Sequence, residues 1–191
     1  MTTPLGSVPS TSGMRFESLL KDGNRVVVSH AESGDAAEIV AYIERVSGES
    51  DFLTFGPGEF GMTVDDERKF ISDLGDGRSG FILKGVVGGK IVSTCTIQRS
   101  SRSRVSHIGT FGISVAQSHW GLGIGRAMCA AMLDVARRIG VTKVDLRVRE
   151  DNARAIHLYE SLGFRREGVA QRGMKIGDRY FADVIMGVSL D

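Results

Sequence analysis

The sequence predicts a mixed α/β fold, a sheet with helices on both of its faces. Three observations predict it: a meander of apolar strand signals in the middle of the chain, a long amphipathic stretch after it, and alternating strand and helix signals from there to the C-terminus. Val26-Val27-Val28 is a β-branched run suited to a first strand. Ser33 or Asp35 can cap a helix in which Ile39, Ile43 and Val46 recur at helical spacing. Gly56-Pro57-Gly58 breaks that pattern, so Phe52 to Met62 reads as a loop. Thr63, with Asp66 three residues on, is a capping-box pattern opening a helix that ends near Gly75. Phe81 to Val87 and Lys90 to Gln98 pair as a hairpin across Gly88-Gly89. After a polar, basic connection, a third strand of the meander spans Val105 to Val115. Ile124, Ala127, Met128, Ala131, Val135 and Ile139 line one face of a helix over Gly121 to Ile139. Val144, Leu146 and Val148 alternate with Asp145, Arg147 and Arg149, the pattern of a half-buried strand. A short helix from Asn152 to Leu162 stops at Gly163, and a final hairpin turns around Ile176 to Arg179.

At 191 residues the chain fits one domain. Met1 to Gly13 is rich in Thr, Ser, Pro and Gly and lacks the basic start and apolar core of a signal peptide. We therefore expect a disordered tail over residues 1–24 and a single domain over 25–191. Lys and Arg number 24 against 23 Asp and Glu, a net charge of +1 that calls for neither nucleic acid nor an anionic membrane. No apolar run is long enough to span a bilayer. Cys95 and Cys129 sit among apolar or small residues, which reads as buried reduced thiols in a cytoplasmic protein. His30, His107, His119 and His157 show no ligand spacing, so no metal is expected. A homodimer stays open as the assembly.

Two blocks carry chemistry. Trp120-Gly121-Leu122-Gly123-Ile124-Gly125-Arg126 follows a strand and opens a helix. Glycines at alternate positions leave backbone N–H groups unobstructed, and the helix macrodipole adds a positive end, so the junction suits a pyrophosphate. Arg126 adds charge at the entry. The dinucleotide fingerprint would need glycine at position 126, and the G-K-[S/T] of a P-loop is absent. The second block is Asn152-Ala153-Arg154-Ala155-Ile156-His157-Leu158-Tyr159. Asn152 is an N-cap candidate, and Tyr159 lies two helical turns on along the same face.

Together the blocks resemble the GNAT superfamily of N-acetyltransferases. Positions 120–125 follow its Gln/Arg-x-x-Gly-x-Gly/Ala pattern except at Trp120. Asn152, Ala155, Leu158, Tyr159, Gly163 and Phe164 follow the downstream Asn-x-x-Ala-x-x-Leu-Tyr-x-x-x-Gly-Phe pattern. The similarity runs from about Arg25 to Leu190. It implies a mostly antiparallel central sheet of about seven strands, and acetyl-CoA as cosubstrate. The pantetheine arm would lie along Ile113-Ser114-Val115, with a backbone N–H near Ile113 on the thioester oxygen. Gly121, Leu122, Gly123, Ile124, Gly125 and Arg126 would hold the phosphates, and Asn152 a ligand amide. Tyr159 would protonate the departing thiolate after direct attack by an amine.

Two departures qualify this pattern. Trp120 removes a side-chain charge or donor, and Thr110 stands where many relatives have a catalytic glutamate; a hydroxyl is no general base at neutral pH. Glu59, His107 and Asp183 are the substitute candidates, with loop solvation, a strand side chain and an arginine partner as their plain readings. Pro57-Gly58-Glu59 and the ending Glu167 to Gly187 resemble the branch acting on amino acids and small amines. The expected acceptor is therefore a small primary amine held or deprotonated by Glu59. The alternatives are acetylation of a protein N-terminus or lysine, and an acyl-CoA sensor without turnover, against which the retained Tyr159 argues.

Overall fold

The computed structural model describes residues 13–75 and 77–190. Its strands are β1 (Arg15–Leu19), β2 (Arg25–His30), β3 (Gly80–Val87), β4 (Lys90–Arg99), β5 (Ile108–Val115), β6 (Lys143–Arg149), β7 (Arg165–Ile176) and β8 (Arg179–Ser189). Its α-helices are α1 (Ala36–Ser47), α2 (Val64–Leu74), α3 (Ile124–Arg138) and α4 (Ala153–Ser161). The eight strands form one sheet in the order β1-β2-β3-β4-β5-β6-β8-β7, one strand more than expected. Every neighbouring pair is antiparallel except β5 and β6.

Each face of the sheet buries its own apolar cluster. One face packs Met128, Met132 and Val135 of α3, with Ile156 of α4, against Val26, Leu83, Val144 and Met186. The other packs Ile39, Tyr42 and Val46 of α1, with Ile71 and Leu74 of α2, against Ile82 and Ile91. Side chains alternate across a strand, so a strand buried on both sides is apolar throughout. β3 and β4 show this, with most of their residues buried.

The local signals explain most boundaries. Gly88 and Gly89 join β3 to β4 at φ 57° and 79°, the left-handed pair that a two-residue hairpin turn requires. At α2 the Asp66 N–H donates to Thr63 Oγ1 at 3.1 Å and the Thr63 N–H to Asp66 Oδ2 at 3.0 Å, the reciprocal cap expected from the sequence. Asp35 makes no side-chain cap on α1: it accepts from the Glu32 N–H at 2.7 Å and pairs with Lys84. The helix expected from Gly121 starts at Ile124, because Gly121 and Gly123 take φ values of 80° and 105°.

Two expectations are corrected. The tail expected over 1–24 gives way to β1, whose residues 15–19 pair with 25–29. The turn between them closes through a Leu20 N–H to Asn24 carbonyl bond of 2.8 Å, and Glu17 pairs with Arg15 and Arg25. Residues 1–12 of that expectation lie outside the described residues. Arg149, expected on the solvated side of β6, has a side chain only 4% exposed, because Phe52 and Phe181 cover it. Among the described residues no helix is long and apolar enough to cross a membrane.

Candidate active site

β5 and β6 stay paired for only three positions, from Ile108/Lys143 to Thr110/Asp145, and then splay apart. Beyond Thr110, β5 remains held by β4 on its other edge. The Ala116 N–H bonds the Val92 carbonyl at 2.9 Å, so even-numbered backbone groups of β5 turn toward β4. Odd-numbered ones turn toward β6: the His107 carbonyl accepts from the Thr142 and Lys143 N–H groups. The N–H groups of Ile113 and Val115 therefore face the opening left by the splay. The Ser114 hydroxyl lies within 3.0 Å of the Tyr42 phenol and 3.2 Å of Thr94 Oγ1, so this residue offers the cleft its place in the strand and not a free side chain.

The glycine loop lies at one end of this opening. A Cβ at Gly121 or Gly123 would enter open space, yet both backbones are left-handed, which costs other residues about 1–2 kcal/mol. Steric exclusion by neighbours thus does not explain these glycines; the turn and the bare N–H groups do. The first N–H groups of α3 have no intrahelical partners and carry the positive end of its dipole. Gly125 has a different reason, since its Cβ would meet Leu158 Cδ2 at 3.1 Å where α3 crosses α4. Trp120 donates its indole N–H to the Val115 carbonyl at 2.7 Å, tying the loop to β5. Arg154 stacks its guanidinium 4.1 Å from the indole centroid, which returns a cation to the position where the motif lost one. Arg126 reaches Ser161 Oγ at 2.8 Å. The Lys21 N–H bonds the Leu122 carbonyl at 3.1 Å, so the β1–β2 turn braces the loop.

A cleft of about 1080 Å³ runs from this loop through the splay to the face under α1 and α2. Ile113, Ser114, Val115, Gly121, Gly123, Ile124, Gly125, Arg126, Asn152 and Tyr159 all line it. Asn152 caps α4 by accepting the Ala155 N–H on Oδ1 at 3.2 Å, which leaves its amide N–H groups to donate. Tyr159 is 7% exposed and packs edge-on to Phe111 and beside Phe164. Burial pushes its phenol above the usual tyrosine range, so it holds its proton throughout neutral pH. Cys95 and Cys129 are free and buried, and burial pushes both thiols up, Cys129 to about 12.

Residues 42–164 match the acetyltransferase (GNAT) family. The chain belongs to that family. This GNAT domain is 32% identical over 91 residues to the L-amino acid N-acetyltransferase AaaT of Escherichia coli, a stretch covering 47% of the chain and 56% of that relative. It is 38% identical over 89 residues to the N-alpha-acetyltransferase RimI of Mycobacterium tuberculosis, covering 47% of the chain and 54% of the relative. The matched stretch thus spans about half the length of these relatives. The crystal structure of a GNAT-family acetyltransferase from Streptococcus pneumoniae superposes with a TM-score of 0.83 at 29% identity, over 87% of this chain and 99% of that one. The yncA protein of Salmonella typhimurium, determined with its cofactor acetyl-CoA, shares the fold with a TM-score of 0.77 at 18% identity, over 87% of this chain and 94% of that one.

From the sheet, Thr94, Thr96, Thr110, Asp145 and Arg147 also line the cleft. Glu67 and Phe70 of α2 line it too, together with Phe52, Leu53, Phe55 and Phe60 from the loop before α2. Arg149 fastens that loop. Its guanidinium lies 4.2 Å from the Phe52 ring centroid and 4.3 Å from that of Phe181, and it donates to the Asp51 carbonyl at 2.8 Å and to Asp151 Oδ1 at 2.7 Å. None of the three residues expected as substitute bases lines the cleft. Glu59 is exposed and turned away: its Oε2 accepts the Gly56 N–H at 2.6 Å, closing the loop on itself outside the cleft lining. His107 is exposed at the foot of β5, and Asp183 is buried beneath Gly173; neither lines the cleft. Asp145 does line it; its buried Oδ1 lies 3.0 Å from Lys143 Nζ, an ion pair without hydrogen-bond geometry, while Lys143 holds Glu167 at 2.8 Å in a hydrogen-bonded one. Glu67 was not anticipated. Its signal is its place on α2, where Glu67, Ile71 and Leu74 share the buried stripe.

Proposed function

We propose that this GNAT domain transfers the acetyl group of acetyl-CoA to a small primary amine by direct attack. The observation that carries the reading is the splay itself: a cleft that brings the Ile113 N–H, the Tyr159 phenol and the glycine loop onto one continuous surface. Backbone N–H groups of Gly121, Leu122, Gly123, Ile124 and Gly125 would take the pyrophosphate, with Arg126 and Arg154 adding charge. The strand edge of Ile113, Ser114 and Val115 would bind the pantetheine arm as an added strand binds, and the Asn152 amide would donate to one of its carbonyls. The Ile113 N–H would stabilise charge developing on the thioester oxygen, a contribution of roughly 2.7–4 kcal/mol for one such donor. Tyr159, protonated and sheltered from water, would give its proton to the leaving thiolate.

The acceptor reading rests on the aromatic wall that the loop before α2 gives the cleft. The loop over 50–62, fastened by Arg149, lines the cleft with the rings of Phe52, Phe55 and Phe60, an apolar wall against which a small amine would pack. The relative named for L-amino acids agrees with this; those named as an N-alpha-acetyltransferase and as a ribosomal protein bS18-alanine N-acetyltransferase supply the competing outcome. Thiol release with acetyl-CoA across amino acids, polyamines and N-terminal peptides tests it. Release with free amines supports the proposal, and release confined to peptides assigns the domain to protein N-termini.

A further inference from the structure

We propose that Glu67 is the general base of this reaction, the carboxylate that takes the proton of the acceptor's ammonium group. The inference rests on the acetyl-transfer reading above and supplies the group that Thr110 cannot be.

The need is chemical. An aliphatic amine has a pKa near about 10 and arrives protonated at neutral pH, without the lone pair that attacks a thioester. Glu67 lines the acceptor end of the cleft and is 2% exposed. Among the described residues no hydrogen bond or ion pair holds its carboxylate, and its oxygens are not among the fully enclosed unpaired polar atoms, so they keep some accessible surface. Buried charged groups are ordinarily paired, because desolvation without a partner is expensive. The other buried polar side chains of the cleft obey that rule: Thr94 meets Ser114, and Arg149 holds Asp51 and Asp151. Glu67 also occupies the stripe that Ile71 and Leu74 use for packing, where an apolar residue would stabilise α2 better. A carboxylate retained there without a partner points to a cation that arrives with the substrate.

The neighbouring charges leave this role to Glu67. α2 packs against α1, the turn at Ser33–Asp35, and β3. On these elements Asp35 pairs with Lys84, Glu38 accepts the Ile91 N–H, Arg45 pairs with Glu49, and Glu44 is exposed. Across the cleft, Asp145 is held by Lys143, and Arg147 and Arg149 are cations. Lys21, Arg126, Arg154, His119 and His157 lie toward the glycine loop and α4. Burial raises the proton affinity of Glu67 above that of a free glutamate, which strengthens it as a base.

The proton balance follows. Glu67 takes one proton from the ammonium, leaving a neutral amine whose lone pair forms the C–N bond at the thioester carbon. The C–S bond breaks, and Tyr159 gives its proton to the thiolate. The nitrogen sheds a second proton as the amide forms, restoring the phenol, and Glu67 returns its own to solvent.

Glu67→Gln keeps the shape and removes the basicity. With the best amine from the panel, we expect kcat/KM at neutral pH to fall by about 10²-fold or more, with the acid limb of the wild-type pH profile lost. His119 and His157 are common to both proteins, so the difference between the profiles belongs to Glu67. Acetyl-CoA affinity by calorimetry should be unchanged, and Glu67→Asp should recover part of the rate. The melting temperature of Glu67→Gln should equal or exceed that of the wild type, where a merely structural carboxylate would give a lower one. A folded Glu67→Gln protein with the wild-type rate and profile overturns the base assignment while leaving acetyl transfer standing. A wild-type chain that binds acetyl-CoA and turns over no amine overturns both.

Discussion

Tyr159 shows how one residue is read differently by packing and by chemistry. Its ring packs against Phe111 and Phe164, and the residue lines the cleft. Tyr159→Phe should keep the ring contacts and the acetyl-CoA affinity while lowering kcat by about 10²-fold or more, read by stopped-flow thiol release. Unchanged kcat with chemistry rate-limiting would assign the proton to another donor. Glu67 makes a second residue-scale prediction, this time about stability. Its folded pKa is raised, so between the unfolded value, about 4.3, and the higher folded one the native state holds the extra proton. Its contribution to stability is therefore greatest below that window and falls as pH rises through it. Melting curves from acid to neutral pH should show a shallower fall for Glu67→Gln than for wild type. In the sequence Glu67 follows Asp65 and Asp66 and looks like one more first-turn carboxylate favoured by the helix dipole; only its coincidence with the Ile71 and Leu74 stripe sets it apart. For Glu59 the loop is legible in the sequence, while the Gly56 N–H that its carboxylate accepts is not.

At the scale of elements, local chemistry made most of the fold legible. The Thr63/Asp66 box, the Gly88-Gly89 hairpin and the Asn152 cap are short-range devices, and each forms where the sequence puts it. What the sequence did not reveal are links between elements, because they join residues far apart along the chain. Arg149 binds Asp51 across 98 positions, and Arg154 stacks on Trp120 from α4. The glycine loop gives one prediction here. Gly123→Val forces a β-branched residue to φ 105° at the cap of α3 and projects its side chain into the cleft. Acetyl-CoA affinity should drop sharply in calorimetry, with a stability loss of about 1–2 kcal/mol. Full affinity in a folded variant would move the phosphate site elsewhere. The Arg149 clamp gives another. Arg149→Ala removes charged hydrogen bonds and two aromatic contacts, so roughly 2 kcal/mol of stability should be lost in denaturant unfolding. The acceptor KM should rise while acetyl-CoA affinity stays level, because the loop it frees covers only the acceptor end.

For the whole molecule, the proposed reaction depends on where the sheet stops being a sheet. β5 and β6 are its only parallel neighbours, and they separate after Thr110/Asp145 so that strand edges and helix ends meet around one opening. The sequence marks both strands but not their divergence, which is set by β4 holding one and β8 the other. Nor did it mark β1, whose short polar alternation resembles a tail until its turn is seen against Leu122. A chain beginning at residue 25 should therefore melt at a lower temperature and bind acetyl-CoA more weakly, because it loses the partner of β2 and the brace on the glycine loop. The most direct test of the whole account is CoA release from acetyl-CoA by the intact chain over the amine and peptide panel, with the acetylated product identified by mass. The account predicts stoichiometric CoA and N-acetylated product with at least one small primary amine. Acetyl-CoA binding without turnover on any acceptor would contradict it.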